Sequence, residues 1–411
     1  MKYNNKLVAI DLGSSTIRLA VAEITDDGSL EVRFITEHPM QGMKNGLIVN
    51  YDEALHSLKA IVSEMNANIE GTPRSVSIGI GGAYISTEES IGTLKHPRGG
   101  ASITADDIKA VLENARANLS VKSGWRVIHS VPIEYKVGDT EKVLNPINMP
   151  SRPLEARVLF LLQSEDQYSS LSHLFNEAGL KIENVYATPL SSSTVLIDKD
   201  EKESGVIIVD IGEDSSSIIS YLAGHLTFIG GIEIGAGHIT SDLAYIFQRN
   251  KGTCKMLKEE YGNAYLPLVS KDAMITLADR DEKVKIPETE FTAIIQPRMT
   301  EIFTLLKKEL DKNPRYGSYS SGLILTGGGS LIGGATELAK SVFYLSTRLG
   351  FPEALSSLSR EYINPKYVTL LGLLKQAALA SPLYRVREAY ESYDSGKKES
   401  KGLKSLWKKL F

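Results

Sequence analysis

Residues 7–19 read Leu-Val-Ala-Ile-Asp-Leu-Gly-Ser-Ser-Thr-Ile-Arg-Leu. An apolar run, a short turn and a second alternating run predict a β-hairpin, because Gly13 supplies the backbone freedom that a tight turn needs. The backbone N–H groups of such a turn, together with the hydroxyls of Ser14 and Ser15, form a concavity suited to phosphates. Asp11 ends the first strand, where its carboxylate is placed to hold a hydrated Mg²⁺. Asp-x-Gly also occurs in turns for purely structural reasons, so this stretch needs support from elsewhere in the chain.

That support is a repeat of the same plan almost half the chain later. Residues 206–219 read Val-Ile-Ile-Val-Asp-Ile-Gly-Glu-Asp-Ser-Ser-Ser-Ile-Ile, and residues 323–330 read Leu-Ile-Leu-Thr-Gly-Gly-Gly-Ser. Two phosphate hairpins and a late glycine turn predict two similar lobes that close on a nucleotide, with Asp11 and Asp210 holding a Mg²⁺ through water. The other predicted nucleotide contacts are Gly13, Ser14, Ser15, Thr16, Gly212, Ser215, Ser216, Gly235, Gly327, Gly328 and Gly329.

The composition argues against several kinds of partner, compartment and binding site. A net charge of −4 gives no indication of a nucleic-acid partner. The one cysteine, Cys254, excludes an internal disulfide and fits a reducing compartment. The first apolar run stops at Ile10, so we expect no signal peptide, and no stretch reaches the 18 or so apolar residues of a membrane span. The histidines show no metal-ligand spacing. We therefore expect a cytoplasmic protein.

Periodicity along the chain predicts an α/β protein with two lobes and two inserts. A helix is expected over 52–68, with Asp52 as its N-cap. A second helix is expected over 288–312. Alternation over 154–162 predicts a strand with one face exposed to water. The predicted parts are a first-lobe core at 1–83, 164–200 and about 355–386, an inserted small α+β subdomain at 84–163, a second-lobe core at 201–241 and 321–354, and a mostly helical insert at 242–320.

The last residues differ in character from the lobes. Residues 387–401 are polar and predict a flexible linker, and 402–411 predict a short amphipathic helix. Its apolar face carries Leu403, Leu406, Trp407, Leu410 and Phe411, and lysines occupy the other face. A helix of this kind behind a linker is typical of one that lies in the plane of an anionic membrane, and docking on its own domain or a partner is the alternative.

In this order, the elements resemble the FtsA family of bacterial cell-division proteins, within the actin/Hsp70/sugar-kinase superfamily of ATPases. Further stretches that look like the family begin at Gly81, Ile103, Ser151, Leu257 and Gln296. The resemblance implies an actin-like two-lobed fold, ATP bound with Mg²⁺, and filaments on the cytoplasmic face of the inner membrane at the division site. It also implies that the chain tethers the C-terminal peptide of FtsZ and helps to recruit other divisome proteins. By the same resemblance, Lys258 touches the nucleotide, whereas Arg298 and Glu301 contact the peptide.

Two stretches depart from the family pattern. Glu213 and Asp214 replace two glycines of the second hairpin, and Ser217 replaces its final Asp. Thr16 stands where a basic residue is common. Carboxylates next to phosphate oxygens repel them unless a cation intervenes or they point away. We therefore expect at most weak ATPase activity, and no residue is assigned as a catalytic base.

Taken from the residues alone, other identities stay open. Lys258 is equally compatible with an exposed helix lysine, and Arg298 with a solvated helix residue. A pilus-assembly relative shares the ATP-binding core, but such a relative does not carry its own membrane anchor. A small-molecule kinase of the superfamily needs a base carboxylate facing an acceptor hydroxyl.

Overall fold

The structure is a computed structural model that describes residues 5–25, 28–95, 102–143, 145–279, 282–313, 317–353 and 355–381. The predicted linker 387–401 and the predicted tail helix 402–411 lie outside these residues. The chain divides into two compact units. Unit 1 comprises Met1–Ile80, Leu171–Leu196 and Phe351–Phe411, and unit 2 comprises Gly81–Ser170 and Ile197–Gly350.

The strands follow one another along the chain as β1 (Lys6–Leu12), β2 (Thr16–Ile24), β3 (Leu30–Pro39), β4 (Met43–Lys44), β5 (Leu47–Ile48), β6 (Ser75–Ile80), β7 (Ser86–Leu94), β8 (Trp125–Val137), β9 (Thr140–Val143), β10 (Leu154–Ser164), β11 (Lys181–Ala187), β12 (Val206–Ile211), β13 (Ser216–Leu222), β14 (His225–Ile232), β15 (Met274–Asp279), β16 (Glu282–Pro287), β17 (Leu323–Thr326) and β18 (Thr347–Leu349). The α-helices are α1 (Tyr51–Asn68), α2 (Ala105–Asn118), α3 (Glu165–Glu177), α4 (Thr188–Leu196), α5 (Lys199–Ser204), α6 (Ala236–Phe247), α7 (Lys251–Tyr261), α8 (Glu288–Asp311), α9 (Ala335–Phe343) and α10 (Val368–Ala380).

Unit 1 is built on a sheet with the strand order β11-β6-β1-β2-β3. Its central strands are buried, with α1 contacting β2 and β3 and with α10 contacting β1, β2 and β6. The predicted first helix is confirmed, but its cap is wrong. Asn50 is the N-cap, and its side chain accepts a hydrogen bond from the Glu53 N–H. Asp52 lies inside the first turn, where its negative charge stabilises the helix by interacting with the positive end of the helix dipole.

Unit 2 contains a sheet with the order β14-β13-β12-β17-β18. Strands β12 and β13 form the predicted second hairpin, and β17 runs parallel to β12. The long helix α8 matches the predicted helix to within one residue at its C-terminal end. Its apolar face is fully buried in the core of the unit, through Phe291, Ile295, Met299, Ile302, Phe303, Leu306 and Leu310.

The inserted α+β subdomain also belongs to unit 2, with the strand order β7-β10-β8-β9 and with α2 packed on β7 and β10. The expectation that β10 has one wet face is wrong for its second half, because Leu159, Leu161 and Gln163 are all buried. The neighbouring strand β8 contacts β14 in the same unit. Only the start of β10, around Glu155 and Arg157, keeps the predicted alternation.

Candidate functional site

The first hairpin has a tightly closed turn. The Gly13 N–H donates to the Thr16 carbonyl at 3.1 Å, and a Cβ at Gly13 would lie only 2.7 Å from that oxygen. Glycine is therefore required at this position. The Ser15 carbonyl accepts a hydrogen bond from the Met40 N–H at 3.0 Å, which fixes the turn from outside the hairpin. The predicted residues 13–16 thus form one rigid turn at the end of β1 and the start of β2.

Asp11 lies opposite Arg18 in this hairpin. The Arg18 Nη1 lies 3.9 Å from the Asp11 Oδ2, and the Arg18 Nε donates to the Glu37 Oε2 at 2.9 Å. Burial raises the pKa of the Asp11 carboxyl, and the positive charge of Arg18 offsets part of this rise. Arg18 also lies over the ring of Tyr367, at 5.5 Å from its centroid. Arg18 thus contacts Glu37 and Tyr367 and lies close to Asp11.

The second hairpin closes in the same way as the first. The Gly212 N–H donates to the Ser215 carbonyl at 3.0 Å, and a Cβ at Gly212 would lie 2.9 Å from that oxygen. The Ser216 hydroxyl donates to the Ile234 carbonyl at 2.8 Å, so it is used within the fold. Asp210 lies opposite Ser217, as Asp11 lies opposite Arg18. The two predicted phosphate turns are therefore equivalent in backbone geometry but differ in the residue that faces the aspartate.

The first turn of α6 supports the second hairpin. The Ala236 N–H donates to the Gly212 carbonyl at 2.8 Å, and the Gly237 N–H donates to the Glu213 carbonyl at 2.7 Å. A Cβ at Gly235 would lie 2.5 Å from both of these carbonyl oxygens. The hairpin turn can approach the helix this closely only because residue 235 is glycine.

Lys258 on α7 reaches the same turn of α6 and is only 4 % exposed. Its Nζ donates to the Ala236 carbonyl at 2.9 Å. Burial lowers the pKa of the Lys258 ammonium, and the negative charge of Glu213 opposes that shift. The alternative of an exposed helix lysine is therefore wrong.

The glycine turn after β17 packs against the second hairpin. Gly327 has a φ of +81°, and a Cβ there would lie 2.2 Å from the Asp210 Oδ1. A Cβ at Gly329 would lie 2.4 Å from the Ile211 Cγ2, whereas a Cβ at Gly328 would meet no atom within 4 Å. The structure thus brings Asp210, the hairpin turn, the first turn of α6, Lys258 and this glycine turn together in unit 2. The first hairpin lies in unit 1.

Two residues near the second hairpin were missed by sequence reasoning. The His238 Nδ1 accepts a hydrogen bond from the Gly235 N–H at 3.2 Å, and a polar residue three positions after the helix start is the signal that predicts this. Tyr84 has a buried hydroxyl without a hydrogen-bond partner among the described residues. Its burial and the negative charges of Glu233 and Asp214 raise its pKa. No local pattern in the sequence marks Tyr84 for this environment.

Arg298 and Glu301 lie on α8 and are linked to α6. The Arg298 guanidinium donates to both Asp242 carboxylate oxygens, at 2.7 Å from Nε and 3.1 Å from Nη2. Its Nη1 donates to the Glu301 Oε2 at 2.5 Å. Arg298 is therefore a half-buried side chain that links α8 to α6 through an ion pair, rather than a freely solvated one.

Comparison with known families places these features in context. The sequence model described as "Cell division protein FtsA" matches residues 207–372, which include the second hairpin, Lys258, Arg298 and the glycine turn. The model described as "SHS2 domain inserted in FTSA" matches residues 82–162, the inserted subdomain. This chain belongs to the FtsA family of cell-division proteins. The family resemblance predicted from the sequence is confirmed.

Relatives match the FtsA-family chain over nearly its whole length. The cell division protein FtsA of Borreliella burgdorferi is 29% identical over 376 residues, which cover 90% of each chain. FtsA of Pseudomonas aeruginosa is 29% identical, over 90% of this chain and 88% of its own. FtsA of Bacillus subtilis is 27% identical, over 92% of this chain and 84% of its own.

Solved structures show the actin-like fold. A chain of a PilM-PilN type IV pilus biogenesis complex matches with a TM-score of 0.65 at 14% identity, over 90% of this chain and 98% of its own. MreB 5 of Spiroplasma citri bound to AMPPNP matches with a TM-score of 0.54 at 12% identity, over 94% of this chain and 98% of its own. At these identities the likeness concerns the fold alone. No helix in the described part of the chain is long and apolar enough to cross a membrane.

Proposed function

We propose that this FtsA-family chain is an ATP-binding adaptor of cell division that polymerises on the inner membrane, tethers FtsZ to it and helps to recruit later divisome proteins. The observation that carries the nucleotide part is the equivalence of the two hairpin turns. Each closes with an N–H from the glycine of Asp-x-Gly to a carbonyl three residues later, at 3.1 Å and 3.0 Å. Each follows an aspartate at a strand end. The backbone N–H groups of a turn of this kind form a concavity that binds phosphates.

The donor set also fits a Mg²⁺ ion held through water. Mg²⁺ keeps several of its waters and is commonly bound by one or two carboxylates together with substrate phosphates. Asp11 and Asp210 occupy corresponding places in the two hairpins, and we propose each of them as a Mg²⁺ ligand through water. Among the described residues, no group of three or more His, Cys, Asp or Glu side chains is arranged to hold a metal ion directly. When bound, Mg²⁺ would screen the negative charge of the phosphates.

We propose that ATP acts mainly as a structural ligand, with at most weak hydrolysis. Asp11 faces Arg18, and Asp210 faces Ser217. A general base must lie within hydrogen-bond reach of the attacking water, and we assign no carboxylate to that task. An adaptor needs the nucleotide to fix its conformation, which binding alone can do.

The proposed peptide contact lies on the exposed side of α8. Arg298 and Glu301 keep 29% and 45% of their side chains exposed. The pair is held in a fixed orientation by Asp242, and such preorganisation lowers the entropic cost of binding. We propose that the C-terminal peptide of FtsZ binds here.

The membrane contact is assigned to residues 402–411, which lie outside the described residues. The bulky apolar side chains fall at helical spacing opposite lysines. Apolar burial together with attraction to anionic lipids is the basis of in-plane helix binding. We accordingly place the protein on the cytoplasmic face of the inner membrane at the division site, as a peripheral protein that forms filaments.

The nucleotide and membrane parts can be tested on the full chain. Binding of labelled ATP should require Mg²⁺ and should be lost in Asp210→Asn with Asp11→Asn. Sedimentation with vesicles that contain anionic lipid should survive these substitutions, because the tail does not depend on the nucleotide. Failure of the unaltered chain to bind ATP would refute the first part, and failure to sediment with vesicles would refute the second.

A further inference from the structure

Glu213 lies in the turn of the second hairpin, directly after the glycine of Asp-x-Gly, and its carboxylate is turned towards α6. A Cβ at Gly237 would lie 2.9 Å from the Glu213 Oε1 and 3.0 Å from its Cδ. The carboxylate therefore rests against the first turn of this 12-residue helix. A Cβ at Gly237 would also lie 2.8 Å from the Glu213 backbone carbonyl oxygen, so glycine at position 237 allows this close approach of residue 213.

The same helical turn receives the Lys258 ammonium, through its hydrogen bond to the Ala236 carbonyl. A negative and a positive side chain thus converge on adjacent residues of α6. Lys258 is buried, and burying an ammonium is costly without a compensating negative charge. The negative charge of Glu213 raises the pKa of Lys258 against the effect of burial, which is the behaviour of a counter-ion.

The two carboxylates of this turn have different surroundings. The charge of Asp214 acts on Tyr84, together with that of Glu233, whereas the charge of Glu213 acts on Lys258. Glu213 is thus the carboxylate of this turn whose charge acts on the buried Lys258 ammonium. A nucleotide phosphate that approached Lys258 would be repelled by the Glu213 carboxylate.

We propose that Glu213 is a specificity-determining residue of the nucleotide site, a built-in anion next to Lys258 with which the phosphates of a nucleotide must compete. This inference rests on the proposed nucleotide binding. Because repulsion between like charges grows with the charge of the ligand, Glu213 penalises ATP more than ADP and ADP more than AMP. The residue thereby sets a low affinity that depends on Mg²⁺, which screens the phosphates.

The test is the affinity of the full chain for ATP, ADP and AMP, each with and without Mg²⁺, for the unaltered protein and for Glu213→Gln. Neutralising one charge a few ångströms from the phosphates is expected to tighten ATP binding by about three- to thirtyfold, with a smaller gain for ADP and little for AMP. The gain should be larger without Mg²⁺. Glu259→Gln is the matched control, because Glu259 also acts on Lys258 but is exposed to solvent, so its removal should change affinity less than about twofold.

Melting curves without nucleotide report whether each variant is folded. Glu213→Gln should melt at a lower temperature than the unaltered chain, since Lys258 loses its counter-ion, and saturating ATP should restore more stability to the variant. Glu213→Asp, which keeps the charge, should not show the gain in affinity. Unchanged or weaker ATP binding in folded Glu213→Gln, or an equal gain for all three nucleotides, would overturn this inference and leave nucleotide binding intact. Absence of binding in every variant would overturn both.

Discussion

Replacing Gly327 by alanine is expected to destabilise unit 2 by about 3 kcal/mol. The φ of +81° and ψ of 168° belong to a region that is essentially restricted to glycine, at a cost of about 1–3 kcal/mol for other residues. The added Cβ would also lie 2.2 Å from the Asp210 Oδ1 and 2.6 Å from the Ile211 carbonyl oxygen. Overpacking of this kind costs about 1–3 kcal/mol. Alanine also reduces the conformational freedom of the unfolded chain, which stabilises the folded state by about 0.4–1 kcal/mol and offsets part of this cost.

Gly328→Ala provides the matched control, because a Cβ there would meet no atom within 4 Å and its φ is not positive. We expect it to change stability by no more than about 0.5 kcal/mol. The assay is urea unfolding followed by tryptophan fluorescence in a Trp407→Phe background, in which Trp125 of unit 2 is the one remaining tryptophan. Equal midpoints for Gly327→Ala and Gly328→Ala would refute the argument that the glycine turn is locked against Asp210.

Three further outcomes are expected. Deleting 402–411, or introducing Leu406→Glu on the apolar face, should abolish sedimentation with anionic vesicles without changing the circular dichroism of the chain. Arg298→Glu should weaken binding of an FtsZ C-terminal peptide by about tenfold, measured by fluorescence anisotropy, because it places a carboxylate against Asp242 and reverses the charge offered to the peptide. Stability should fall as the pH drops from 6.5 to 4, in part because burial lowers the pKa of His129 to about 4. In that window the unfolded state binds up to one more proton at this residue, a slope of at most about 1.4 kcal/mol per pH unit, and His129→Gln should reduce the slope measured by urea unfolding.

Each of these has a control. Leu406→Ile keeps the apolar face of the tail and should still sediment, and continued sedimentation of the deleted chain would exclude the tail as the anchor. Lys308→Glu changes charge elsewhere on α8, so a peptide affinity equally reduced by both α8 substitutions would remove Arg298 from the interface. Above about pH 8 the imidazole is neutral in both states, because its unfolded pKa is about 6.5. The slope attributed to His129 should vanish there, and a slope unchanged by the substitution would contradict the assignment.

Local patterns were sufficient to predict the elements that build the site. The apolar runs, Asp-x-Gly and the glycine turn predicted both hairpins, and helical periodicity predicted α8, because these signals depend on residues that are close in sequence. The predicted N-cap of α1 was wrong because local signals did not single out one position. Asn50 and Asp52 are both good capping residues, and periodicity does not fix a helix start to within two positions.

Features set by distant contacts escaped prediction. The face of β10 that alternation predicted to be exposed to water is buried from Leu159 onward, and the neighbouring strand β8 contacts β14, which is distant in sequence. The buried Lys258 ammonium donates a hydrogen bond to the Ala236 carbonyl, and no pattern of side chains in the sequence predicts this contact. The position of the Glu213 carboxylate, next to Gly237, likewise could not be read from the sequence. The sequence predicted the turns that carry the candidate residues, whereas the charge pairing of Glu213 and Lys258 became visible only in the fold.

The most direct test of the tether is a three-component sedimentation assay with anionic vesicles, the full chain with Mg-ATP, and a labelled FtsZ C-terminal peptide. We expect the peptide to pellet with vesicles only when the chain is present and carries residues 402–411, and not with vesicles of neutral lipid. Arg298→Glu should leave the chain on the vesicles and the peptide in solution. If the peptide stays in solution with the unaltered chain, or pellets equally well with the chain that lacks its tail, the account of this protein as a membrane tether for FtsZ is contradicted.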